Sequence, residues 1–303
     1  PTFIFVVTSA LKKNNEVIIV LPQFEGFIIA VLAKLLRKKI IVFYVCEVTL
    51  SNKIIPKFFE FLLRFSHSLT VYLADNIVTL TVDFAKNNAL LNKKINKINA
   101  ILPVINDPKD LRGINSRFIK QLPKGKKIIG FVGRVSSEKG IEYLLETIPI
   151  LRKKWGNNFV ILIAGSLGVG ESEYHQMIKT QINKYKKFIR WLQKLEDGEL
   201  EAFYKSLDVL ILPSVNPTEA FGMVQVEAML SGTPVIASNL PGVRMPIKWT
   251  GMGEVVPLRD SEILAQTIIK VVKNKKNYQQ NLSEIKSIFD KQKILNQWQK
   301  LLN

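Results

Sequence analysis

From residue 126 onward, short β-branched runs alternate with longer segments of helical period. The runs are "KKIIGFVG", "NFVILIAG", "KFIRWLQ", "DVLILP", "TPVIAS" and "GEVVP". Between them, segments such as "EKGIEYLLETIPILRKKW" and "SEYHQMIKTQINKYK" repeat apolar positions three and four apart. Continuous apolar strands separated by helices predict a parallel sheet covered on both faces. Ligands of such a doubly wound domain sit at the carboxyl ends of its strands.

The first 120 residues repeat the theme less completely. "NEVIIVLP" and "KKIIVFYV" read as strands on either side of the helix "EGFIIAVLAKLLRK", and "ADNIVTL" and "KINAILP" as two more. "PTFIFVVTSALKK" stays open: its β-branched content points to a strand, its position before a strand to a helix. The polar segment "LPVINDPKDLRGINSRFIKQLPKGKK", with three prolines and two glycines, marks a domain boundary. Residues 286–303 read as one amphipathic terminal helix with Ile288, Ile294, Trp298 and Leu301 or Leu302 on its apolar side. The expected domains are therefore 1–118, 119–285 and the terminal helix 286–303, packing back toward the first domain. No short fixed repeat is present.

Composition narrows the class. The chain has 303 residues, 47% of them hydrophobic, enough for two packed domains. The single cysteine, Cys46, excludes an intramolecular disulfide framework, fits a reducing compartment and is expected to be a small buried apolar residue. Net charge is +18, and the 17 basic and 8 acidic residues up to position 120 show that the excess is spread along the chain. Such a balance suits anionic partners, and it also follows from an AT-rich codon bias toward Lys, Ile and Asn. No apolar run reaches the roughly 18 residues of a membrane span.

Two loops carry the chemistry. In "IIGFVGRVSSEKG", Gly130 and Gly133 thin the strand end, Arg134 follows at once, and Lys139 stands five residues on. A loop between strand and helix is a good phosphate cradle, with arginine as a planar fork and lysine as a mobile charge. The bland alternative is an ordinary basic loop. In "TEAFGMVQVEAM", Glu219 precedes Gly222, where a helix is expected to begin, and Glu227 follows five residues into it. The first amides of that helix favour a phosphate. Carboxylates on either side suit vicinal hydroxyls, so the segment fits a ligand built as sugar, diphosphate, ribose. Val224 and Ala228 share the face expected to meet the sheet. The bland alternative makes Glu219 a helix-dipole complement and Glu227 a solvated surface residue.

Together, "GFVGRVSSEKG", "LEDGELEAFYKSLDVLILPS", "EAFGMVQVEAMLSGTPVIAS" and "LPGV" stand in the order and spacing of the retaining glycosyltransferases of family 4, the group 1 enzymes with the two-domain GT-B fold. The resemblance covers residues 120–303 strongly and 16–105 weakly. It implies an α/β, GT-B-like chain of two Rossmann-like doubly wound domains, the first incomplete. It implies that Arg134 and Lys139 clamp the donor diphosphate and stabilise leaving-group charge. Glu219 would hold hydroxyls of the donor sugar and Glu227 the ribose, completing the family's E-x7-E signature. Backbone near Gly133, Phe221, Gly222 and Met223 would assist at the diphosphate, and Trp191 and Leu192 lie where such enzymes hold the base. The implied reaction moves a sugar, with retention, from a nucleotide-diphosphate sugar to a glycan or lipid-linked acceptor, without a metal or other cofactor, in the cytoplasm.

Departures from the family pattern are Met245, where many relatives have glutamate, and Val45, Cys46 and Glu47, where relatives often carry a histidine. His67 and His175 stand at neither motif and are expected in surface or core roles. Alternatives are a non-catalytic or degenerate nucleotide-sugar binder and a basic nucleic-acid-binding protein. Zinc spacing, RNA-recognition aromatics and a concentrated basic stripe are missing, so no nucleic-acid partner is expected. "GSLGVG" is no dinucleotide fingerprint.

Two further expectations concern the first domain. "IIPKFFEFLLRFSHSLTVYLA", residues 54–74, is rich in Phe and Leu and reads either as a core-facing helix or as one lying on an anionic membrane at its inner face. The family's first domain also opens with a strand, a glycine-rich turn and two further βα units before the segment that "NEVIIVLP" resembles, which here arrives at residue 16. The resemblance thus implies truncation at the amino terminus, with nucleotide binding kept and transfer slow or absent.

Overall fold

The amino-terminal segment left open between strand and helix folds as helix α1, Thr2–Lys13, with Lys12 and Lys13 in its last turn, where cations complement the helix dipole. A computed structural model describes residues 2–49, 54–105, 122, 125–195 and 198–303. The chain divides into two compact units, Pro1–Pro103 with Gln297–Asn303, and Val104–Asn296. The expected boundary at 118/119 lies outside the described residues.

In the first unit, β1 (Glu16–Leu21), α2 (Gly26–Leu35), β2 (Lys39–Tyr44), α3 (Ile54–Leu73), β3 (Asn76–Thr79), α4 (Val82–Asn87) and β4 (Ile98–Ala100) follow one another. The four strands are parallel and lie in the order β1-β2-β3-β4. Every crossover steps the same way, so right-handed connections put the helices on one face of the sheet. Phe43 of β2 meets Trp298 edge-on at 5.4 Å, and Lys39 Nζ donates to the Leu301 carbonyl at 2.9 Å. Cys46, expected to be buried, is only partly so. His67 is in the core beside the Tyr44 ring at 5.9 Å.

The second unit contains β5 (Lys127–Val132), α5 (Ile141–Glu146), α6 (Ile148–Trp155), β6 (Phe159–Ala164), α7 (Ser172–Lys184), β7 (Ile189–Gln193), α8 (Glu199–Ser206), β8 (Val209–Leu212), α9 (Met223–Leu230), β9 (Val235–Ser238), α10 (Met245–Thr250), β10 (Gly253–Val256), α11 (Ser261–Lys273), α12 (Leu282–Ile288) and α13 (Lys291–Leu302), whose last turns belong to the first unit. Six parallel strands lie in the order β10-β9-β8-β5-β6-β7. All residues of β6, β8 and β9 are buried, as a parallel sheet covered on both faces requires. The chain winds outward from β5 to β7, then returns to place β8 on the other side of β5. That reversal is a topological switch point.

Two helices read as continuous are broken. The run after Gly140 becomes α5 and α6 because Pro149, lacking an N–H, sits in the first turn of the second. Residues 286–303 are not one helix: α12 stops at Ile288 and Asp290 caps α13, its carboxylate accepting from the Lys293 amide at 2.7 Å. Burial of Phe289 against Phe221 and Trp249 fixes the break.

Candidate functional site

The loops following β5 and β8 leave the sheet at adjacent carboxyl ends, on the two sides of the switch point. The first carries Arg134 and Lys139, the second Glu219 and the start of α9. Backbone joins them, the Val215 amide donating to the Glu138 carbonyl at 3.0 Å. Side chains join them too: Lys139 Nζ lies 2.6 Å from Glu219 Oε2, with the pair only 20% and 14% exposed. Two residues 80 positions apart thus form one half-buried ion pair beyond the carboxyl ends of β5 and β8. The Ser214 hydroxyl donates to the same Glu219 oxygen at 3.3 Å.

Arg134 is placed differently. Its side chain is 63% exposed and pairs with Glu138 at 2.7 Å. The loop beneath it is held by His175, whose Nε2 is 3.1 Å from the Val135 carbonyl oxygen, and by Glu171, which accepts from the Ser137 amide at 2.9 Å and from its hydroxyl at 2.5 Å. His175, expected in a surface or core role, is a buried brace of this loop.

Gly222 takes φ 76° at the amino end of α9, a conformation that favours glycine. Phe221 is buried, whereas Met223 is exposed. Gln225, fully buried, donates from Nε2 to the Phe221 carbonyl at 2.5 Å and the Val243 carbonyl at 2.9 Å, tying the helix start to the "LPGV" loop. Val224 is only partly buried, and the inward face of α9 is Gln225, Val226, Ala228 and Met229 instead. Glu227 is no solvated surface residue: its Oε2 accepts the Tyr204 hydroxyl at 2.7 Å. Burial, then the charge of Glu227, pushes the Tyr204 hydroxyl far up, so it stays a donor. The Tyr204 hydroxyl bonds Oε2 of Glu227 and not Oε1.

Strand ends β5, β6 and β7 are drawn together by glycine. The Gly133 amide donates to the Ala164 carbonyl at 3.0 Å, the Gly165 amide to the Gln193 carbonyl at 2.7 Å, and Trp191 Nε1 to the Gly165 carbonyl at 2.8 Å. Gly165 has φ 147°, and a Cβ there would overlap the Gly133 carbonyl. Trp191 and Leu192 are therefore carried at the same end of the sheet as Gly133, two strands over. Met245 opens α10 after Arg244, whose guanidinium donates to Asn239 at 3.1 Å. Among the described residues no group of three or more His, Cys, Asp or Glu could hold a metal ion.

Sequence reasoning missed Tyr204, Ser214, Gln225 and Gly165. Tyr204 stands inside the quoted "EAFYKSLDVLILPS", but nothing in its spacing announces that its hydroxyl reaches Glu227 on another helix.

A family profile described as glycosyl transferases group 1 matches residues 114–287. A phosphatidyl-myo-inositol mannosyltransferase of Mycobacterium leprae is 31% identical over 153 residues, 50% of this chain and 39% of that protein. A D-inositol 3-phosphate glycosyltransferase of Corynebacterium jeikeium is 31% identical over 155 residues, 50% of this chain and 36% of that protein. The matched stretch thus spans well under half the length of these relatives. The crystal structure of Anabaena Alr3699/HepE in complex with UDP superposes with a TM-score of 0.78 at 18% identity, covering 99% of this chain and 81% of that one.

Proposed function

The chain belongs to the group 1 glycosyl transferases, and we propose that its second unit binds a nucleotide-diphosphate sugar for transfer to a glycan or lipid-linked acceptor. The observation that carries this reading is the Lys139–Glu219 ion pair at 2.6 Å, which draws the phosphate-binding and sugar-binding motifs into one cleft. Arg134 and Lys139 hold the diphosphate; Lys139 exchanges its carboxylate partner for phosphate and frees Glu219 to accept sugar hydroxyls. The amides near Phe221, Gly222 and Met223 add partial positive charge at the start of α9. Glu227 accepts the ribose hydroxyls through Oε1 while Tyr204 fixes Oε2. Trp191 and Leu192 flank the base.

In the transfer, the bond from the anomeric carbon to the diphosphate breaks and its electron pair leaves on the phosphate. The acceptor oxygen forms the new bond on the same face, and the leaving phosphate takes the acceptor's proton. Arg134 and Lys139 stabilise the departing charge, the role a metal serves in other transferases. The UDP in the Anabaena structure and the lipid-linked inositol in the mannosyltransferase's name support a nucleotide-sugar donor and an acceptor of this class. Cytoplasmic placement with peripheral contact at the inner membrane face belongs to the same reading.

Calorimetry with UDP, GDP and ADP and their sugar conjugates tests it. One nucleotide should bind, and Glu227→Gln should weaken it, whereas Glu219→Gln should spare the bare nucleotide and weaken only the sugar conjugate. Binding of none of the three, or identical behaviour of both glutamate variants, would sink the assignment.

A further inference from the structure

Helix α3 has its polarity reversed. The side buried against the rest of the first unit carries Glu60, Ser66, His67 and Thr70 beside Leu63 and Val71. Three of these polar groups have partners: Ser66 donates to the Phe24 carbonyl, Thr70 to the Ser66 carbonyl, and Glu60 pairs with Lys57 and Arg64, whereas Nε2 of His67 has none among the described residues. The solvent side carries Ile55, Phe58, Leu62, Phe65 and Tyr72, spaced three, four, three and seven apart, with Phe61 on the shoulder. Phe61 is 65% exposed and Phe65 64%. An ordinary surface helix turns its apolar stripe inward.

The sheet cannot cover this stripe, because it lies on the other side of the helix. At 1.5 Å per residue the stripe runs about 26 Å. Only the Tyr72 hydroxyl offers a hydrogen bond, whereas a protein interface carries roughly one per 100–200 Å². The exposed charges beside it are mainly cationic: Lys57 and Arg64 are 43% and 58% exposed, while their carboxylate partners are less so, Glu60 being buried and Glu47, 3.9 Å from Arg64, 25% exposed. On the same face of the sheet, α2 packs against both α1 and α3, and α1 exposes Phe3 to Val6 and ends on Lys12 and Lys13. Among the described residues no helix is long and apolar enough to cross a membrane.

We propose that α3 lies in the surface of an anionic bilayer, with Phe58, Phe61 and Phe65 among the acyl chains and Lys57 and Arg64 at the head-group phosphates. An apolar face edged by long cations, with their stems lying along it, is what interfacial helices present. The proposal deepens the membrane part of the reading above. It stands on the first unit alone, so its failure leaves the donor site untouched.

Flotation of the 303-residue chain with vesicles tests it, using phosphatidylcholine alone or with about 30% phosphatidylglycerol, a charge density at which each basic residue near the surface adds to binding. The chain should float with the anionic vesicles and be released by high salt. The triple variant Phe58→Ser, Phe61→Ser, Phe65→Ser should lower binding at least about tenfold, given that affinity scales with buried apolar area. Its affinity for the nucleotide, or its thermal unfolding if no nucleotide binds, should stay unchanged, which separates lost docking from lost folding. In a Phe61→Trp variant, emission should shift to shorter wavelength on adding vesicles. Wild-type protein that stays in the aqueous fraction at low salt overturns the proposal, as does a triple variant that floats equally well. Concentration-dependent self-association abolished by the same three serines, without vesicle binding, would overturn it in favour of a second copy.

Discussion

The two units solve the burial problem in opposite ways. In the second, the β-strands bury apolar side chains almost exclusively and the helices over them mainly do, with His175, Glu201 and Gln225 among the buried exceptions. In the first, α3 turns Glu60, Ser66, His67 and Thr70 inward and faces solvent with phenylalanine. The sheets differ in the same sense. The second reverses its strand order beside β5, the kind of switch point at which doubly wound sheets bind ligands, whereas the four described strands of the first progress in one direction.

The largest effect should come from breaking the second unit where its strand ends meet. Gly165→Ala places a methyl against the Gly133 carbonyl at φ 147°. A backbone clash at a left-handed position should cost roughly 3 kcal/mol or more. Thermal unfolding should show the loss, and amide exchange should confine it to residues 127–256, with the first unit's protection intact.

Acid should act on the other side of the comparison. Burial lowers His67 to about 4, partly opposed by a backbone hydrogen bond at Gln23, so the imidazole is neutral in the folded unit. The unfolded chain protonates it near 6.5. Between about 6.5 and 4 the unfolded state binds more protons, so stability falls as pH falls, by about 3 kcal/mol across the whole window. Amide-exchange protection in β1–β3 should decline over that range, and His67→Phe should flatten the decline. A pH-independent profile in the wild type would refute the assignment.

Within the site the two cations should separate. Lys139→Ala strips a half-buried carboxylate of its partner and, on the proposed clamp, a phosphate of its cation, so nucleotide affinity should fall by roughly 1.5–3 kcal/mol. Arg134→Ala should cost less in affinity, because that side chain is exposed, and Arg134→Lys should not fully restore it because the fork is lost. Equal losses for the two alanine variants would show that the ion pair adds nothing to the clamp.

The smallest effect tests a residue that acts through another. Tyr204→Phe removes the hydroxyl that fixes Glu227, and nucleotide affinity should drop by about 1 kcal/mol. Affinity for the 2′,3′-dideoxy nucleotide, which cannot reach Glu227, should be unchanged. An equal loss for both ligands would assign Tyr204 a packing role only.

What the sequence determined by itself was local and periodic. Apolar runs such as "DVLILP" and "NFVILIAG" can satisfy their backbone and their side chains together only as buried parallel strands. Short-range spacing put Arg134 and Lys139 in the loop after one strand, and Glu219 and Gly222 before the helix after another. Even the breaks at Pro149 and Asp290 had visible cap residues, overridden in the reading by the apolar period running across them. Three things were decided only in three dimensions. Strand order brought β5 beside β8, and with it Lys139 within 2.6 Å of Glu219 across 80 residues. Packing sent the Tyr204 hydroxyl to Glu227, since a buried tyrosine takes whatever acceptor the neighbouring helix presents. The phase of α3 turned its phenylalanines outward. Periodicity shows that a helix has two faces, but which of them meets the sheet depends on what the opposing surface offers, such as the Phe24 carbonyl that accepts from Ser66, and that surface is assembled from residues far away in the chain.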